Sequence, residues 1–200
     1  MRTRFLGLLG VTVSVVAVAC GHDATARRGA ERAAHVDSAV SRDEELRRFR
    51  TGLVEPVALN GGAASRDDLV QRYVRALERA DTMALESLAL TRAEFAYLYY
   101  PTTPQGRPPY DLSPGLMWFM LRENSRRGLI HAIEERGGHP LGYVGYSCDS
   151  TPSREGENTV VGPCVIHRRQ SGGDVVQERL FGLIVERGHR FKLVSLANKL

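Results

Sequence analysis

The sequence predicts an α+β fold in which N-terminal helices pack on the concave face of a curved, cone-like antiparallel sheet. Three observations carry that prediction. Apolar residues recur at helical spacing in the first two thirds of the chain. The clearest stripe is Leu69, Val70, Tyr73, Val74 and Leu77, with Arg72, Arg75, Glu78 and Arg79 outside it. From Pro140 the apolar period shortens from 3.6 to 2. Gly172-Gly173 and Gly188-His189 then separate alternating segments as two-residue hairpin turns. Helices followed by hairpin-linked strands is the order of an α+β domain.

Ahead of the helices stands an export leader, residues 1–19. Arg2 and Arg4 precede an uncharged run from Phe5 to Ala19, shorter than the ~20 apolar residues a membrane span requires. The run ends Ala17-Val18-Ala19-Cys20. Small residues leading directly into cysteine resemble the lipobox of bacterial lipoproteins, which implies acylation of Cys20. The alternative is a cleaved secretory signal that happens to end in cysteine. Residues 20–40 are small, charged and free of aromatics, so they read as a tether of at most ~70 Å, with His22 and His35 as solvated residues.

Residues 41–64 form a short helix and a loop. Ser41-Arg42-Asp43-Glu44 fits a capping box, Leu46, Phe49 and Leu53 share a face, and Gly52 and Pro56 end the helix. Ser65 opens the amphipathic helix described above, and with it a domain over 65–200. Asp81 caps a short helix with Met83, Leu85 and Leu88, and Thr91-Arg92-Ala93-Glu94 is a further capping box. Residues 99–114 hold five of the nine prolines, so no helix runs through them. This stiff aromatic loop suggests a pocket lid of Tyr99, Tyr100 and Tyr110, with Trp118 beside it. Ser113-Pro114 restarts a helix that stops at Gly137-Gly138, with Trp118, Leu121, Ser125, Gly128, Leu129, Ala132 and Ile133 on one face.

Four strand-like segments follow, 141–148, 159–169, 174–186 and 190–197. Pairing the first two about Gly156 sets Cys148 opposite Cys164. Counting on from Gly172-Gly173 sets Val165 against Leu180 and His167 against Glu178. With Cys20 given to lipid, Cys148 and Cys164 are the two cysteines left of three, and a disulfide suits an oxidising envelope. A two-cysteine metal or redox site is the alternative, but the fifteen residues between them are not a C-x-x-C spacing. In the last two strands, Phe181, Leu183, Val185, Val194 and Leu196 share one face. Leu180, Ile184, Phe191, Leu193 and Ala197 share the other. Both faces need cover, so a homodimer is one expectation.

A helix like DDLVQRYVRALERADTMALESL, a later helix, curved strands and a closing RFKLVSLANKL resemble the nuclear transport factor 2-like superfamily of ketosteroid isomerases and polyketide-cyclase-like proteins. The likeness covers roughly residues 65–200. It implies a cone-shaped fold enclosing an apolar pocket, with the other sheet face often pairing two subunits. The proline-rich loop and the helix at 41–52 depart from the compact family pattern.

At 200 residues, 42% hydrophobic and 25% charged, the chain is long enough for one packed domain. Its net charge of +4, which falls to about +2 when Arg2 and Arg4 are removed, does not suggest a nucleic-acid partner. The six histidines are scattered, so no metal is expected, and no cofactor motif is present. Enzymes of the resembled family place an acid–base residue in the pocket. The candidates here are weak: Tyr97, Asp111, His131 and His167. Tyr97 and Tyr99 lie two apart on a helix and cannot both face the core. The expectation is a non-catalytic envelope lipoprotein, periplasmic and more in keeping with the outer membrane, binding a small apolar ligand or an envelope protein. A proton-transfer enzyme is the alternative.

Overall fold

Each expected helix begins at the cap residue read from the sequence. In the computed structural model, which describes residues 40–148 and 151–199, the side chains of Ser41, Ser65, Asp81, Thr91 and Ser113 each accept a hydrogen bond from the N–H three residues on. They launch α1 (Arg42–Arg50), α2 (Arg66–Glu78), α3 (Thr82–Ser87), α4 (Arg92–Glu94) and α5 (Pro114–Arg136). The leader, Cys20 and the tether as far as residue 39 lie outside the described residues. Met83 departs from its expected place with Leu85 and Leu88. It is 78% exposed while both leucines are buried, because positions two apart on a helix point to nearly opposite sides.

α4 runs straight into a π-helical turn, Phe95–Tyr99, closed by the Tyr100 N–H on the Phe95 carbonyl at 2.8 Å. The wider turn lets Phe95, Leu98, Tyr99 and Tyr100 all point inward. Tyr97 is left at the rim, with the Arg50 guanidinium 4.3 Å from its ring centroid.

The strands are β1 (Tyr143–Cys148), β2 (Ser153–Glu155), β3 (Asn158–Val161), β4 (Cys164–Arg169), β5 (Val175–Glu178), β6 (Ile184–Arg187) and β7 (Arg190–Leu193). They form two antiparallel sheets, β1-β4-β5 and β2-β3-β6-β7. β1 and β2, β4 and β3, and β5 and β6 are successive along the chain, one of each pair in either sheet, with β7 added to the second, so the sheets are two halves of one broken ladder. An unequal residue count marks each break. From Cys148↔Cys164 to Ser153↔Val160 one stretch advances five residues and the other four. From Ile166↔Glu178 to Val161↔Ile184 the counts are five and six. An extra residue on one side of a ladder bends it.

Cys148 and Cys164 are paired in register and bonded as a disulfide. The second expected register is off by one. His167 faces Gln177, and Glu178 faces Ile166. The turn explains the slip. Gln170 and Asp174 still exchange a backbone hydrogen bond, so the tip is Ser171-Gly172-Gly173, a three-residue loop with Gly173 at φ +93°. Gly188-His189 is the two-residue turn expected, between the paired Arg187 and Arg190. Beyond Leu193 the last segment is no longer a regular strand, but it stays bonded through Val194 N–H to Leu183 O and Gly182 N–H to Ser195 O.

Two apolar clusters lie on opposite faces of β6 and β7. The first joins the α2 stripe to Ile166, Leu180, Phe181, Ile184 and Leu193. Tyr73 anchors it, donating to the Leu180 carbonyl at 2.7 Å; burial raises its hydroxyl well above the ordinary tyrosine value. Each fully buried side chain of that stripe contributes ~1.5–3 kcal/mol. The second cluster joins Val160, Val185 and Val194 to Phe95, Leu98, Tyr99, Tyr100 and Met117, with Leu46 and Phe49 of α1 packed on it. The sheet face that sequence reasoning leaves to a second subunit is therefore covered by the chain's own residues. Phe181 and Leu196, expected on the Val185 face, pack in the first cluster, because alternation does not carry through the bend. Loops also cover the free edge of β7: Ala63 exchanges backbone hydrogen bonds with Phe191, and Leu90 and Leu88 bond Leu193.

Candidate functional site

An apolar-floored hollow opens beneath α5, where the two clusters meet. Trp118, Leu121, Arg122, Ser125, Arg126 and Leu129 line it from the helix; Glu86, Ala89 and Leu90 form the facing wall, and Val194 and Leu196 the floor. The helix residues recur every three or four positions, one face over three turns. The volume is about 350 Å³, within the range of small-molecule sites.

α5 is fastened to the closing segment at one end of this hollow. Ser125 Oγ accepts from the Leu196 N–H at 3.1 Å, and Asn198 Nδ2 donates to the Gly128 carbonyl at 2.6 Å. A Cβ on Gly128 would lie 2.0 Å from the Leu196 carbonyl oxygen, so only glycine permits this approach. Large residues toward the helix N-terminus, Trp118 above all, frame the rest. Charge is confined to three side chains: Glu86, Arg122 and Arg126, all on exposed residues. Arg126 reaches Glu123 at 3.4 Å. Arg122 and Glu86 have no ion-pair partner among the described residues.

Of the lid residues expected from sequence, only Trp118 lines the hollow. Tyr99 and Tyr100 are buried in the second cluster, and Tyr110 is 64% exposed on the surface. The loop over 99–114 thus folds its tyrosines inward or outward and does not close over the hollow. Tyr100 donates to the Leu112 carbonyl at 2.7 Å, which ties the two ends of the loop together. None of the weak catalytic candidates reaches the hollow. Tyr97 stacks on Arg50, Asp111 is an exposed loop residue at φ +47°, and His131 is on the exposed side of α5. His167 is half-buried on β4, with Nε2 2.9 Å from Ser147 Oγ across the strand pair.

Two polar arrangements went unseen in the sequence. Glu94 and Lys192 form an ion pair with side chains 1% and 2% exposed, Nζ to Oε2 2.9 Å. Glu94 also accepts the N–H groups of Thr91 at 2.8 Å and Asn60 at 2.7 Å. Both carboxylate oxygens are thus occupied, and the pair links the 59–60 loop, the start of α4 and β7. A capping-box glutamate ordinarily faces water, so its spacing gave no sign of a buried partner 98 residues away. The second arrangement surrounds Glu155, whose carboxyl is pushed up by burial, with a hydrogen bond from Thr103 opposing the rise. Its Oε2 is buried without a hydrogen-bond partner among the described residues. Neither residue lines the hollow.

Among the described residues no group of three or more His, Cys, Asp or Glu could hold a metal ion, and no helix is long and apolar enough to cross a membrane. In comparisons with known proteins, no family model, curated protein or solved structure matches the chain.

Proposed function

We propose that this protein is a bacterial envelope lipoprotein, anchored through acylated Cys20, whose domain binds a small apolar ligand beneath α5 without catalysing a reaction. The observation that carries the binding reading is the composition of the hollow. Its walls and floor are Ala89, Leu90, Trp118, Leu121, Leu129, Val194 and Leu196, with charge only on exposed residues. Such a surface rewards displacement of water by apolar groups and offers no desolvated acid or base. The fully buried carboxylate of Glu94 is bound to Lys192 and two N–H groups, so it has no free lone-pair direction to give a substrate. The run Ala17-Val18-Ala19-Cys20 supports the anchor, and the disulfide suits an oxidising compartment. The order of helices before bent hairpin strands supports a cone of the nuclear transport factor 2-like kind.

Native mass spectrometry of the protein purified from its own envelope tests this. The expected species begins at Cys20, carries acyl chains and the intact disulfide, and retains a small apolar molecule. A mature chain cleaved elsewhere and unacylated would remove the anchor. A ligand-free hollow that stays empty when challenged would remove the binding function.

The proton-transfer reading has one observation behind it, the buried Glu155 carboxyl with an unpartnered oxygen. Its test is direct: Glu155→Gln would abolish isomerase- or cyclase-type turnover and leave ligand retention unchanged.

A further inference from the structure

We infer that the ligand of the hollow beneath α5 is an anionic amphiphile, its apolar chain on the Leu90–Val194–Leu196 floor and its negative head group held by Arg122 and Arg126. This rests on the binding reading above and adds the ligand's charge to it. The argument is one of placement. The two arginines lie one turn apart on the α5 face that lines the hollow, and Trp118 and Leu121 precede them on the same face. Leu121 and Leu129 flank them, and both arginines are exposed at the rim, so a chain on the apolar floor has guanidinium groups beside it where the hollow opens to water.

Arg122 is the stronger anchor, because nothing among the described residues neutralises it. Arg126 is held only loosely, with both guanidinium contacts to Glu123 at 3.4 Å, so it can turn to an anion at little cost. Two guanidiniums so spaced can both donate to a single carboxylate or phosphate. The opposing charge is Glu86, across the hollow on the facing wall. Glu123 stands beside Arg126 and Glu86 on the facing wall, so Arg122 is the cation at the opening that no carboxylate contacts, and it is what favours a negative head. Glu86 sets the side from which it is repelled, which fixes the head at the α5 side.

Trp118 is the only tryptophan of the chain and lines the hollow, so its emission reports occupancy directly. The experiment titrates the full-length protein, in phosphatidylcholine vesicles, with octanoate, octanamide and octylamine. Vesicles carrying an Ala89→Phe variant, whose ring fills the hollow, supply the background. Octanoate should give a saturable Trp118 change that is absent in Ala89→Phe. Arg122→Gln with Arg126→Gln should weaken octanoate roughly tenfold, about what loss of a charged hydrogen bond costs. Glu86→Gln should tighten it about twofold. Octanamide should bind more weakly and ignore all three changes. Equal binding of octanoate and octanamide, or octanoate indifferent to the arginine pair, would overturn the head-group assignment and leave the apolar hollow standing. Tighter binding of octylamine would overturn it too. No saturable change with any of the three would overturn the binding reading itself, and this inference with it.

Discussion

Glu178 sits between two arginines drawn from different elements. Arg168 of β4 donates to it at 2.5 Å, and Arg136 at the end of α5 grips it with Nε and Nη2 at 3.0 and 2.9 Å. The Arg168 bond, more than Arg136, holds the carboxyl at about 2, against the pull of burial in the other direction. A carboxyl depressed on folding stabilises the fold above its unfolded value of about 4.3 and loses that contribution as pH falls toward 2. The full shift corresponds to ~3 kcal/mol, and solvent at Arg136, whose side chain is 26% exposed, reduces it to about 1–2 kcal/mol. Urea unfolding of the wild type and Glu178→Gln should therefore differ most at pH 7 and converge between about pH 5 and pH 2. The Glu94–Lys192 pair behaves differently, because no water reaches it. Lys192→Met leaves a buried carboxylate without its counter-ion and should cost about 3–5 kcal/mol. Glu94→Gln with Lys192→Met removes both charges and should recover much of that loss in the same denaturation assay. A single variant as stable as the wild type would mean that Glu94 reaches solvent.

At the scale of elements, helices and strands were legible where local chemistry decides them. Five side-chain caps and a proline at the head of α5 set the helix starts. Period-two alternation located the strand stretches, and pairing the first two symmetrically about Gly156 gave the cysteine register that is found. What local chemistry does not decide is where a ladder breaks. The extra residue at 179–183 belongs to the pairing of separate stretches, and Gly172-Gly173 suits a two- or a three-residue tip equally well. A slip of one there moved His167 from Glu178 to Gln177, so the expected cross-strand pair does not form. The hollow was hidden for a similar reason. Its lining comes from residues 86–90, 118–129 and 194–196, and only the packing of α5 brings these together. Gly128 is the contact that sets that packing. Gly128→Ala must push α5 off the Leu196 carbonyl, and overpacking of this kind costs about 1–3 kcal/mol. The displaced helix should also alter Trp118 emission in the folded protein. An alanine variant with wild-type stability and emission would show that α5 is not fixed there.

The whole molecule is organised around strands shared by two cores. Ile184 and Leu193 face the α2 cluster, whereas Val185 and Lys192, one residue along in the same pairs, face the Phe95 cluster. Neither cluster can lose its floor without the other losing its ladder, since the β6–β7 hydrogen bonds belong to both. The chain should then unfold in one step despite its two cores. Far-UV circular dichroism follows all helices and strands, and Trp118 fluorescence follows the Phe95 side, against whose ring it lies at 5.3 Å between centroids. The two urea transitions should coincide. A lesion in the opposite core should move them together: Leu69→Ala, buried under α2 far from Trp118 in sequence, should cost about 2–5 kcal/mol by both signals. If Leu69→Ala shifted the dichroism transition and left the fluorescence transition at its wild-type midpoint, the cores would be separable units. The hollow at their junction would then be a mobile seam rather than a preformed site, and ligand affinity would track the stability of the weaker core.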